Sequence, residues 1–220
     1  MASSGTTSFN ITIDEVIEEA YERCGVRTNA GNDIRSARRS LNLLFSEWGN
    51  RGINLWKVKS KTETLVNGSI TYNTPSDCND VLEAVVTTTG GTQQSLTKVS
   101  RSEYIAIPNK SATGTPSQYY VDRQITPTIS LYLAPDTSAV TNIFYYYLAR
   151  IEDVGAYTNT SDMPFRFFPC MVSGLAFYLS QKIAPDRIQA LKLLYEDELK
   201  RALEEDGQRT SVYISPNVYY

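Results

Sequence analysis

Apolar positions recur at helical spacing at both ends of this chain and at strand-like spacing through its middle. Near the start, Ile13, Val16, Ile17, Ala20 and Cys24 fall on one side of a helix. Thr12 and Glu15 have capping-box spacing, which satisfies orphan amides at a helix start, and Gly25 is placed to end the helix. A loop through Asn29 and Gly31 leads to a second helix that opens near Asn32 or Asp33. Its apolar face is Ile34, Ala37, Leu41, Leu44, Phe45 and Trp48, and it stops at Gly49 or Gly52.

After Gly52 the pattern shortens. The runs Ile53–Val58, Lys59–Val66, Ser69–Asn73, Val81–Thr88, Thr92–Val99, Gln118–Arg123, Ile129–Leu133 and Thr141–Arg150 are rich in β-branched and aromatic residues. Asn67-Gly68 predicts a hairpin because both positions accept positive φ, and Gly90-Gly91 predicts a second. Ser100 and Glu103 repeat the capping-box spacing and predict a short helix over Ser100–Ile107 within the strands.

Helical spacing returns after Asp162, a candidate cap, with Pro164 suited to a first turn and Val172, Leu175, Ala176 and Leu179 as the apolar stripe. Pro169 and Gly174 argue against a straight rod. A last helix runs from Pro185 to about Asp206, burying Ile188, Leu191, Leu194, Tyr195, Leu199, Ala202 and Leu203, with Glu196–Lys200 and Asp197–Arg201 as (i, i+4) pairs. The predicted fold is α+β: a four-helix bundle built from both chain ends (1–52 and 160–207), with an inserted antiparallel β-sandwich or barrel domain (53–159). Residues 208–220 form an extended tail whose Val212, Tyr213, Ile214, Val218, Tyr219 and Tyr220 are too apolar to idle in water.

Composition narrows the function more than it names one. The 220 residues carry 21 basic and 24 acidic side chains, a net charge of −3, so a dedicated nucleic-acid binder is not indicated. Histidine is absent, which removes the side chain best suited to proton transfer near neutral pH. No phosphate-binding loop, nucleophile elbow or metal-binding pair is present, so no catalytic, metal or cofactor residues are assigned. Cys24, Cys78 and Cys170 are far apart and read as buried thiols of a reducing cytoplasm. Met1–Ser8 lacks the apolar core of a signal peptide, and Met171–Leu179 is about half the length needed to span a bilayer, so no membrane contact is expected.

Three features could carry contacts. Arg35, Arg38 and Arg39 share a face of the second helix, opposite in sign to Glu196, Asp197 and Glu204 of the last. They read either as solvated faces or as complementary surfaces of neighbouring subunits. Lys57, Lys59 and Lys61 alternate, so on a strand they share one side, as a basic stripe or as a solvated edge. The 15 tyrosines include Tyr145-Tyr146-Tyr147, whose rings must cover both faces of a strand or meet a partner.

The chain also resembles a known family, the podovirus head-to-tail connector or adaptor proteins called tail tubular protein A. The likeness rests on Ile11-Thr12-Ile13-Asp14-Glu15-Val16-Ile17, the first helix ending at Cys24-Gly25, and Ser40-Leu41-Asn42-Leu43-Leu44-Phe45-Ser46-Glu47-Trp48. It continues in Trp56-Lys57, Tyr72-Asn73-Thr74-Pro75-Ser76-Asp77-Cys78 and Val81-Leu82-Glu83-Ala84-Val85. The resemblance implies a virion structural protein, assembled in the host cytoplasm as a homo-oligomeric, dodecameric ring under the portal protein. The bundle would pack on the portal and on neighbouring copies, and the β domain would face the tail nozzle, tubular protein B. Double-stranded DNA would pass through the lumen at genome ejection without sequence-specific binding, and the terminal segment would dock on the portal or a neighbour.

Two alternatives stay open: a glycan-binding or glycan-hydrolysing tail protein, and another tail component such as a nozzle or capsid-completion protein. Asp77, Asp80, Glu83 and Asp122 are the carboxylates a hydrolase would draw on.

Overall fold

The computed structural model describes residues 5, 9, 11–27, 31–52, 55–156 and 158–206. In chain order the elements are helices α1 (Ile13–Cys24) and α2 (Gly31–Asn50), then strands β1 (Val58–Thr64), β2 (Thr71–Asn73), β3 (Cys78–Thr88), β4 (Gln93–Ser95) and β5 (Thr97–Lys98). Helix α3 (Arg101–Ala106) precedes β6 (Thr113–Gly114), β7 (Gln118–Asp122), β8 (Thr128–Tyr132), β9 (Ala134–Pro135) and β10 (Val140–Ala149), and α4 (Phe168–Ile183) and α5 (Ile188–Asp206) close the described chain. Two compact units result, one within Met1–Ile53 and Glu152–Tyr220 and the other within Asn54–Ile151. The segment after Ile151 therefore groups with the helices rather than with the strands.

The helical unit is organised around α4, which packs against α1, α2 and α5. Cys170, Met171, Val172, Gly174, Leu175, Ala176 and Leu179 are all buried, so α4 is apolar nearly all round, as a helix enclosed by others must be. Its two buried hydroxyls are satisfied within the helix: Ser173 donates to Pro169 O at 3.1 Å and Ser180 to Phe177 O at 2.8 Å. The helix begins at Phe168, later than the predicted cap at Asp162, because a 3-10 turn over Phe165–Phe167 intervenes. That start puts Pro169 in the first turn, where its missing N–H costs nothing, so it does not kink the helix. At Gly174 an added Cβ would lie 2.8 Å from Leu44 Cδ2 and 3.0 Å from Tyr195 Cε2. The glycine lets α2 and α5 approach closely.

Both ends of α1 follow the sequence signals. Glu15 Oε2 accepts from the Thr12 N–H at 2.7 Å and from the Thr12 hydroxyl at 2.8 Å. Gly25 adopts φ 77°, its N–H reaching Glu22 O while that of Val26 reaches Tyr21 O, a Schellman stop.

The strand unit holds two open four-stranded sheets, ordered β1-β10-β3-β4 and β2-β8-β7-β5, and a small β6-β9 pair. Between them lies one core in which Val81, Val86, Ile143 and Tyr145 of the first sheet meet Tyr72, Tyr119, Ile129 and Leu131 of the second. Of the expected sandwich or barrel, the barrel is corrected: the sheets do not close on each other. Most pairings are antiparallel, but β5-β7 and β6-β9 are parallel.

Turn chemistry is local, whereas strand pairing is not. Gly90-Gly91 joins the β3-β4 hairpin, with Gly91 at φ 83°. Gly68 makes its turn at φ 71°, yet the flanking strands do not pair, since β1 joins β10 and β2 joins β8. The predicted strand Thr92–Val99 likewise divides at buried Leu96, β4 entering one sheet and β5 the other. The expected strand Ile53–Val58 instead contains a 3-10 turn over Leu55–Lys57, and β1 starts only at Val58.

Candidate functional site

Among the described residues the helical unit carries one pronounced cationic surface. Helix α2 exposes Arg35 and Arg39 and leaves Arg38 half-buried between them, because positions three and four apart share a helix face. With Asn42 these arginines line a cleft of about 520 Å3. Arg38 is held in place: its Nη2 donates to the carbonyls of Val154, at 3.2 Å, and Gly155. Asn42 Oδ1 accepts the Val154 N–H at 2.8 Å, so the 154–155 segment is tied to α2 twice.

A fourth cation, which the sequence did not mark, comes from α4. Lys182 Nζ donates to Ser40 Oγ at 2.7 Å and to Ser36 Oγ at 3.2 Å. Burial, with Arg39 adding repulsion, holds its ammonium below the ordinary lysine range. No carboxylate among the described residues comes within ion-pairing distance of Arg35, Arg38, Arg39 or Lys182.

The acidic residues singled out on α5 are placed differently. Asp197 pairs with Arg201 at 2.7 Å, as its spacing predicted. Glu196 turns back to Lys192 at 3.8 Å rather than forward to Lys200, and Lys200 reaches Glu204 at 4.0 Å. Glu196, Asp197 and Glu204 therefore each face a cation of their own helix. Leu194 and Leu203, expected inside, are part-exposed, while Tyr195 and Leu199 are buried.

An acidic face without full compensation lies on α1. Glu15, Glu18, Glu19 and Glu22 occupy its exposed side at helical spacing. Glu15 is engaged by Thr12 and Glu19 by Arg23 at 3.0 Å. Neither Glu18 nor Glu22 has an ion pair among the described residues. Their i, i+3, i+4, i+7 spacing was a signal available in the sequence.

In the strand unit Lys59 and Lys61 alternate along β1, an edge strand of its sheet, but Lys57 does not join them. Lys57 lies in the turn before β1 and is buried, Lys59 pairs with Asp77 at 2.9 Å, and Lys61 pairs with Glu63 at 2.6 Å. The carboxylates considered for glycan chemistry are mostly engaged as well. Asp80 meets Lys98 at 2.8 Å, and Asp122 accepts from Gln124 at 2.8 Å. Tyr145 and Tyr147 turn into the core while Tyr146 stays 45% exposed, so the tyrosine triplet divides between the two faces of its strand. Its sheet neighbour on β3 is Glu83.

Cys24, Cys78 and Cys170 are all buried, and burial raises each thiol's pKa, that of Cys170 to about 12. No group of three or more metal-ligating side chains occurs among the described residues, nor is any helix among them long and apolar enough to cross a membrane. The tail residues Val212, Tyr213, Ile214, Val218, Tyr219 and Tyr220 lie outside the described residues.

No curated protein matches the chain. The sequence model of the SU10 adaptor protein family matches residues 11–219, a range that runs through both units. This chain belongs to the SU10 adaptor protein family, a family of phage structural proteins.

Proposed function

We propose that the chain is the head-to-tail adaptor of a short-tailed phage, the role held by tail tubular protein A, and that it acts without catalysing a reaction. Copies form a ring, a dodecamer by family resemblance, between the portal protein and the tail nozzle, and genomic DNA passes through its lumen. One observation carries this reading: the family match runs across both units, so the helices and the inserted strands are read as one adaptor rather than as an adaptor with an appended enzyme. In this reading the four long helices act as a bundle that packs on the portal and on neighbouring copies, and the strand unit faces the nozzle. Val212, Tyr213, Ile214, Val218, Tyr219 and Tyr220 dock on the portal or on a neighbour, with the alternation of residues 211–215 suited to strand addition.

Mass measurement of the full chain with and without purified portal protein tests the reading. A closed multi-copy ring on the portal supports it. A chain that stays monomeric in both conditions overturns it. Deleting Ser211–Tyr220 should leave the melting temperature nearly unchanged and abolish stable attachment to DNA-filled heads. Unfolding of the truncated chain would place the tail in the subunit's own core instead.

A further inference from the structure

Two faces of the helical unit carry opposite charge and do not neutralise each other within one chain. The outer side of α1 presents Glu18 and Glu22 one turn apart. The outer side of α2 presents Arg35 and Arg39 one turn apart, beside Lys182 of α4. Like charges at this spacing destabilise the helix that carries them, so each face holds an unfavourable interaction that an opposite charge would relieve. Among the described residues neither glutamate has an ion pair, and neither arginine does. On α5, Glu196, Asp197 and Glu204 each pair with a cation of their own helix, and Glu198 pairs with Arg23 of α1. Leu43, 60% exposed, continues the Arg35–Arg39 stripe by one turn and adds apolar contact area beside it.

We infer that the acidic face of α1 on one copy docks into the Arg35–Arg39 cleft, beside Lys182, on the next copy. The contact is heterologous, since two different faces of the chain meet, and a heterologous contact that closes generates a ring. This inference rests on the proposed ring and names the surfaces that build it. Arginine suits the partner chemistry, because its planar donor fork matches a carboxylate in two-point geometry. Arg38 supplies positive field but stays bound to the 154–155 carbonyls. A second copy is favoured over DNA as the occupant because the same unit offers a matching, unpaired carboxylate face.

The test uses two full-length variants, Glu18→Lys with Glu22→Lys, and Arg35→Glu with Arg39→Glu. Arg38 is left intact so that the fold is kept. Each variant alone should remain a folded monomer at concentrations where the unaltered chain forms rings on the portal, with the assembly midpoint raised more than about tenfold. Mixing the two should restore assembly, since each reversed face then finds an opposite one, and a chain carrying all four changes should assemble by itself. Should a reversal prevent folding, the Gln versions of the same pairs keep the test, with a smaller loss of assembly expected. Unaltered rings from both variants would overturn this inference and leave the ring intact. Loss on arginine reversal without rescue by mixing would assign the cleft to another occupant, such as DNA phosphate, and also overturn it. An unaltered chain that never forms a ring overturns the ring and the inference together.

Discussion

Trp48 Nε1 donates a 2.8 Å hydrogen bond to the hydroxyl of Tyr195, and that hydroxyl donates in turn to Glu47 Oε2 at 3.0 Å. Both rings are essentially buried, and the bond joins α2, from the first part of the chain, to α5, from the last. Tyr195→Phe would leave the indole N–H without its acceptor. We expect a loss of about 1–3 kcal/mol, read as a lower urea midpoint at unchanged slope. A midpoint equal to that of the unaltered protein would show that the bond contributes nothing.

Tyr145 and Tyr119 should respond in opposite ways to the same substitution. The Tyr145 hydroxyl is buried without a hydrogen-bond partner among the described residues, so Tyr145→Phe removes an unsatisfied group and should leave stability unchanged or raised. The Tyr119 hydroxyl donates to Leu82 O at 2.9 Å, and Tyr119→Phe should cost about 1 kcal/mol. Thermal melts of the two variants side by side decide the point.

Stability should also fall at alkaline pH. Burial, aided by Asp80 and Glu83, pushes the Tyr119 hydroxyl from 10.0 up to about 12. The folded state therefore keeps a proton that the unfolded state gives up first. The resulting stabilisation is complete below pH 10 and is lost as pH rises through about 12. Denaturant titrations from about pH 9 up to about pH 12 should show this decline, and Tyr119→Phe should make it shallower.

Gly174→Ala sets helix propensity against packing. Propensity alone would favour alanine by about 1 kcal/mol. The added methyl would fall 2.8 Å from Leu44 and 3.0 Å from Tyr195, and overpacking of that kind costs about 1–3 kcal/mol. We expect net destabilisation and a lower melting temperature. A more stable variant would mean that α2 and α5 can move apart freely.

The sequence by itself determined what local chemistry controls. The α1 stop at Gly25, the α3 capping box and the β3-β4 hairpin at Gly90-Gly91 follow from dihedral freedom and nearby hydrogen bonds. The apolar stripes assigned to α1, α2 and α4 are buried, apart from the part-exposed Ile34 at the start of α2, because amphipathic spacing leaves one side to cover. Only the tertiary structure decided which strands pair. Asn67-Gly68 turns the chain as its residues dictate, but β1 and β2 enter different sheets because their partners, β10 and β8, lie far along the chain. It also decided which charges remain available. Spacing placed Arg35, Arg38 and Arg39 on one face, yet only folding brought Lys182 beside them and tied Arg38 to a returning loop. Spacing likewise offered Glu196, Asp197 and Glu204 of α5 as the acidic partners, whereas side-chain geometry pairs those three within α5 and leaves Glu18 and Glu22 of α1 without an ion pair among the described residues. Coulomb energy depends on distance in three dimensions, and helical periodicity constrains that distance only along a single helix.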